Sequence, residues 1–376
     1  MDTGKRLFDA VSLGPLRLPS RIVMSSMSRD RSPGGVPTAL NATYYAQRAG
    51  AGLVITESTA VSARGTGWPN TPGIFTPQQV DGWRGVTAAV HARGGRIFVQ
   101  LWHCGRNSHP LTQPGGALPV GPSAIDPQAT VRTAQGRLPL PVPHELASAE
   151  IAGVVDEYRQ AAHAALAAGF DGVQVHAGNG FLIDQFLRDS ANRRRDGYGG
   201  SAANRCRLLL EIVEAVAQVW GRDRVGVRLS PTNPTNYRLR DSDPGALMQA
   251  ALGGLDTLGI AYVDVVEGST TAEPPTHALD HAALRRGFGG LYIANNGLRT
   301  VAQAEQALRT HADLVSFGRP FIANPDLPVR LQRGAALNPL DEIHLYAPDH
   351  RGYTDYPFLD AATEPRVGAD NEGDER

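Results

Sequence analysis

Lysine is almost missing from this chain. Of its 36 lysine and arginine residues only Lys5 is a lysine. A barrel aldolase that forms a Schiff base needs a lysine inside the barrel, and Lys5 lies ahead of the first core segment. Cysteine is scarce as well. Cys104 and Cys206 are too few and too far apart for a disulfide framework or a zinc site, and Cys104 reads as a small residue at the base of a loop. No run of about 18 apolar residues occurs, so no segment qualifies as a membrane span. The opening Met1-Asp-Thr-Gly-Lys-Arg has no apolar signal core. The net charge of −1 gives no bulk attraction to nucleic acid or an anionic membrane. These absences leave the expectation of a cytoplasmic protein that acts on a small molecule, without nucleic acid, membrane or metal, and with a homo-oligomer left open.

What is present is a large apolar content, 41% of 376 residues, in a repeating pattern. After an alternating segment at 8–20, read as a short hairpin capping one end of the fold, short strand-like runs fall at 22–27, 53–57, 97–102, 173–176, 225–229, 262–267, 291–295 and 314–317. Amphipathic segments lie between them at 38–48, 77–93, 148–168, 202–219, 244–258, 278–286 and 300–310, and a final helix follows Pro325. Thr38 and Ser148 read as N-caps. Eight strands alternating with helices predict an α/β fold, a (β/α)8 TIM barrel, as one domain over 1–360. An open doubly wound sheet lacks its glycine fingerprint. The connection at 103–143 is unusually long and rich in Pro, Gly and Ser, and reads as a lid. The polar, acidic stretch 361–376 reads as a mobile tail.

The segment 173–186, Val-Gln-Val-His-Ala-Gly-Asn-Gly-Phe-Leu-Ile-Asp-Gln-Phe, organises the site. Its apolar run stops at His176, and Gly178 and Gly180 break it. His176 and Asn179 therefore follow the C-terminal end of a strand, where α/β folds bind ligands. Two neutral donors there suit an oxygen that gains negative charge in a transition state. Gln100 and Arg228 are each embedded in an apolar strand. A buried arginine needs a partner: either a carboxylate such as Glu57 or Glu267, or an electron-rich ligand at the mouth. Gly297, Gly318 and Arg319 end the last two strands, where barrels bind phosphate, although glycines there also serve as plain turn residues. Together these residues suggest a phosphorylated planar cofactor across the barrel top.

The motifs match a known family. Phe-Val-Gln-Leu-Trp-His-Cys-Gly-Arg at 98–106, Gly-Phe-Asp-Gly-Val-Gln-Val-His at 169–176, Leu-Ile-Asp-Gln-Phe-Leu-Arg-Asp at 182–189, Asp-Gly-Tyr-Gly-Gly-Ser at 196–201, Phe-Gly-Arg-Pro-Phe-Ile-Ala-Asn-Pro-Asp at 317–326 and Gly-Tyr-Thr-Asp-Tyr-Pro at 352–357 resemble the Old Yellow Enzyme family of FMN-dependent ene-reductases from about residue 7 to 357. The resemblance implies FMN, with Ser26, Met27, Ser28 and Ser58 along the flavin and Gln100 at its pyrimidine edge. Arg228 would face N1 and the O2 carbonyl, and Asn296, Gly297, Gly318 and Arg319 would hold the phosphate. It implies NADH or NADPH as hydride donor and an enone or enal as acceptor, in ping-pong order. His176, beside the flavin, and Asn179 would polarise the substrate carbonyl, in a pocket shaped by Trp102, Phe288 and Tyr346.

Three positions depart from the family pattern. Phe181 stands where relatives carry the tyrosine that protonates the α-carbon. Either water or another group, such as Tyr292, Tyr346 or His103, supplies the proton to a reductase, or the enzyme is an FMN-dependent alkene isomerase or desaturase. Asn296 replaces a glycine, in a turn whose left-handed backbone asparagine tolerates. Gln174 replaces an acid.

Overall fold

The computed structural model describes residues 4–233, 237–270, 273–275, 277–298 and 300–360. The expected tail at 361–376 lies outside the described residues. Eight parallel strands close a barrel: β1 (Ile22–Met24), β2 (Leu53–Ala60), β3 (Ile97–Trp102), β4 (Gly172–Ala177), β5 (Val225–Leu229), β6 (Tyr262–Val266), β7 (Leu291–Asn295) and β8 (Leu314–Phe317). Each pairs with the next, and β8 pairs with β1. Every barrel strand but one is buried along its whole length; β7 has Leu291 half-buried. The strands therefore read as near-continuous apolar runs, as sheets covered on both faces do.

One end of the barrel is sealed by hydrophobic residues. Phe98, Tyr262, Leu53, Ile55, Ile293 and Leu314 pack with Val11, Leu13 and Leu18 of the hairpin Val11–Leu13/Leu16–Leu18. Lys5 sits at this end, paired with Asp313 just before β8 at 2.5 Å, well away from the mouth. The opposite end, at the strand C-termini, holds the polar residues. Ser148 is not an N-cap. Ala147 takes that position because Glu150 reaches back to the Ala147 N–H at 2.7 Å, while the Ser148 hydroxyl donates to Asp196. Thr38 does precede the helix Ala39–Gln47. The long connection is not featureless. It carries a hairpin, Thr130–Thr133/Gly136–Pro139, and a two-residue parallel pairing, Val120–Gly121 with His144–Glu145. Among the described residues no helix is long and apolar enough to cross a membrane.

Candidate active site

Parallel register decides which side chains meet inside the barrel. Gln100 lies opposite Gln174, His176 opposite Arg228, and Arg228 opposite Asp264. A bulge in β2 between Ile55 and Ser58 shifts its register so that Ser58 faces Gln100. The bulge also turns Glu57 away from the lumen. Its carboxylate accepts the Arg29 and Asp30 N–H groups at 3.0 and 3.3 Å and the Tyr45 hydroxyl at 3.3 Å. Burial pushes Glu57 up to about 7, against the pull of the Arg29 N–H. It organises the loop after β1 and does not pair with Arg228. Glu267 does not either, since it takes His311 at 2.7 Å outside the barrel wall. The partner of Arg228 is Asp264, 3.9 Å away, in the Tyr-Val-Asp-Val-Val of β6.

A continuous polar network follows. The Ser26 and Ser58 hydroxyls donate to Gln100 Oε1 at 2.7 and 2.9 Å. Gln100 Nε2 donates to Gln174 Oε1 at 2.6 Å, and Gln174 Nε2 donates to Asp264 at 3.2 Å and to the Tyr262 hydroxyl at 3.4 Å. Gln174 reaches β6 because the residue opposite it on β5 is Gly226, where a Cβ would lie 2.1 Å from the Tyr262 ring. Asn295 donates to Asp264 at 2.8 Å and to Ser25 at 3.1 Å. Arg228 donates to the same Ser25 hydroxyl oxygen at 2.9 Å. Desolvation raises the Asp264 carboxyl above the ordinary range, against the opposing charge of Arg228. Gln174, unexplained by sequence, is thus the link between Gln100 and Asp264.

The donor set fits a flavin. Arg228 is buried, and its Nε has no protein partner among the described residues. An unpaired buried donor is costly unless a ligand meets it. Asn296 and Gly297 have φ of +80° and +77°, so the asparagine does adopt the left-handed turn. Met27 lies beside Gly318, its Sδ 3.5 Å from where a Cβ would be. Ser28 is half-buried, and Arg319 is an exposed side chain 3.6 Å from Glu342.

His176 and Asn179, the pair expected to bind a carbonyl, are held from behind. His176 Nδ1 accepts the Gly178 N–H at 3.4 Å, which leaves the ring proton on Nε2. Burial, then the charge of Arg228, keep this imidazole well below its ordinary pKa, so it stays neutral. Asn179 has φ +56°; its N–H donates to the Ser230 hydroxyl at 2.6 Å.

Phe181 sits in a nest of rings. Trp102 and His176 meet it edge-on at 5.1 Å, and Trp68 and Tyr237 lie at 6.1 Å. The Trp102 Nε1 is buried without a protein partner among the described residues. Two of the groups considered as replacement proton donors face elsewhere. The Tyr292 hydroxyl meets His281 Nδ1 at 3.1 Å outside the wall. His103 accepts the Gly105 N–H with Nδ1 and turns Nε2 toward Glu157, 3.8 Å away. Tyr346 is exposed and stacks under the Arg132 guanidinium of the long-connection hairpin, 5.2 Å from ring to cation. Phe288 is not a pocket residue. It precedes β7, is 2% exposed, and packs by Gly290 and the Ile260 carbonyl at the sealed end. Sequence reasoning missed Ser25, Asp264, Asn233, Trp68 and Tyr237. Asp264 alone carried a signal, as a carboxylate in an apolar strand.

Comparison with known proteins gives the family. The NADH:flavin oxidoreductase / NADH oxidase family model matches residues 6–338. 12-Oxophytodienoate reductase 7 of Oryza sativa subsp. japonica is 42% identical over 94% of each chain. Flavin oxidoreductase hxnT of Emericella nidulans is 40% identical over 94% of this chain and 97% of its own. Among solved structures, morphinone reductase superposes with a TM-score of 0.92 at 44% identity, covering 97% of this chain and all of that one. The old yellow enzyme homologue from Zymomonas mobilis does so with 0.90 at 41% identity, over 94% of this chain and all of that one. With an eight-stranded barrel and matches along nearly its whole length, the chain belongs to the Old Yellow Enzyme family of FMN-dependent oxidoreductases.

Proposed function

We propose that this enzyme reduces the C=C bond of α,β-unsaturated carbonyl compounds, enones or enals, with NADH or NADPH in a ping-pong cycle. FMN, when bound, supplies the hydride relay between nicotinamide and the β-carbon. Gln100, Ser26 and Ser58 would meet the pyrimidine side of the ring, and Arg228 the region that gathers negative charge on reduction. Gly297, Gly318, Asn296 and Arg319 would hold the phosphate. His176 and Asn179 would take the substrate oxygen and stabilise its enolate. One such donor is worth about 3 kcal/mol of barrier. The observation that carries the reading is the neutral His176 with its proton on Nε2, three residues from Asn179 at the end of β4. The names of the relatives, 12-oxophytodienoate reductase and morphinone reductase, support it. Trp102 and Tyr346 would line the pocket.

One observation favours a second reading. Phe181 cannot donate a proton, and the groups nearest it are the rings of Trp102, His176, Trp68 and Tyr237. If the enolate is not protonated, the hydride would return after rotation about the Cα–Cβ bond and the net reaction would be E/Z isomerisation of the alkene, or desaturation of a saturated carbonyl in the reverse sense. Anaerobic incubation with NADPH and an acyclic (Z)-enal separates the two. Saturated aldehyde formed with one NADPH consumed supports reduction. The (E)-enal formed without stoichiometric NADPH use, above the rate without enzyme, supports isomerisation. No turnover of any enone or enal overturns both.

A further inference from the structure

Resting on the reading of Asn179 as a carbonyl-binding donor, we infer that Asn233 is a positioning residue that fixes which end of the Asn179 carboxamide faces the substrate. An asparagine side chain presents either an acceptor or two donors, and the two ends have the same shape. Only the NH2 end can grip a carbonyl oxygen. A rotated Asn179 would set its own oxygen against the substrate and repel it. Something must therefore decide the sense of the amide.

The chain of decision starts at a group with no choice. The Thr270 backbone N–H can only donate, and it donates to Asn233 Oδ1 at 2.9 Å. This makes the other end of Asn233 the NH2. Its two hydrogens go to the Thr270 hydroxyl oxygen at 2.7 Å and to Asn179 Oδ1 at 3.1 Å. Asn179 Oδ1 is thereby engaged, and its Nδ2 is turned the other way. Asn233 is fully buried, so water does not compete for these bonds. Three strand ends join here: Asn179 follows β4, Asn233 follows β5 and Thr270 follows β6. His176 is treated alike, its sense set by the Gly178 N–H. Both donors thus take their polarity from a backbone N–H, and Asn233 carries it one residue further.

The test uses FMN-loaded enzyme and 4-chlorophenol, whose oxygen mimics an enolate, with affinity read from the flavin absorbance. Asn179→Ala should weaken binding by about tenfold or more, as loss of a charge-assisted hydrogen bond does. Asn233→Leu should weaken it by a similar factor in the native background and by less than twofold in the Asn179→Ala background. Thr270→Val keeps the decisive backbone N–H and should stay within about threefold of the native affinity. Asn233→Ser, too short to reach Asn179, repeats the test if the leucine variant does not retain FMN. An Asn233 loss that persists undiminished without Asn179 overturns the inference, as does a Thr270→Val loss equal to that of Asn233→Leu. If Asn179→Ala itself leaves the affinity unchanged, the carbonyl-binding role falls and the inference with it.

Discussion

Replacing Gln174 by glutamate would set two carboxylates against each other inside the barrel. In the native chain Gln174 Nε2 donates to Asp264 Oδ2 across 3.2 Å. Glutamate puts an oxygen there. At an effective dielectric constant of about 20, two unit charges at that separation repel by about 5 kcal/mol, nearly four pH units. The pair would then keep one shared proton up to about pH 8, while both groups ionise near pH 4 in the unfolded chain. Their folded titration is raised above the unfolded one. The fold is therefore spared the penalty below about pH 4 and loses stability as pH rises. Each unit costs about 1.4 kcal/mol, so between pH 5 and pH 7 the variant should lose up to about 2.7 kcal/mol more than the native protein, less what the native protein itself loses there as its raised Asp264 ionises. Arg228, 3.9 Å from Asp264, offsets part of this, which makes the figure an upper one. Urea unfolding of both proteins at pH 5, 6, 7 and 8, with saturating FMN, gives the difference directly. A difference that does not change with pH would refute the placement of Gln174 against Asp264.

Three other outcomes are expected. Arg228→Met should weaken FMN binding by about tenfold or more in a fluorescence titration, because the cation beside Ser25 and Asp264 is lost; unchanged affinity would remove Arg228 from the cofactor site. Phe181→Tyr restores a hydroxyl within the ring nest, and should raise steady-state turnover of 2-cyclohexenone by up to about 10²-fold if proton delivery limits the reaction; an unchanged rate with no solvent isotope effect would show that it does not. Burial holds His103 down to about 3 and keeps it neutral in the fold. The unfolded chain takes that proton below about pH 6.5, so its contribution to stability is lost as pH falls from there. His103→Gln should flatten the fall in stability between pH 4 and 6 by about 1.4 kcal/mol per unit, and an unaltered slope would contradict its neutrality.

The barrel was legible because its signal is repeated. Eight buried strands each leave an apolar run, and the boundaries of 97–102, 225–229, 291–295 and 314–317 agree with the structure residue for residue. The others differ by one to three residues at one or both ends. β2 runs on to Ala60 because its bulge carries the strand past Glu57. Gln100 and Arg228 were legible as polar residues in apolar strands. The same rule points to Asp264, which a search for partners among Glu57 and Glu267 passed over. Phe288 shows what residue type cannot supply. An aromatic among glycines resembles a pocket wall, but it precedes its strand and so belongs to the sealed end. Asn233, Trp68 and Tyr237 lie on loops, and only the folded chain brings them to His176, Asn179 and Phe181.

The central claim is that His176 and Asn179 present two neutral N–H donors to an oxygen above the flavin. It is tested most directly by titrating FMN-loaded His176→Ala/Asn179→Ala enzyme with 4-chlorophenol beside the native protein. Two charge-assisted hydrogen bonds predict a loss of affinity of about 10²-fold or more with FMN still bound. An affinity equal to the native value would contradict the claim.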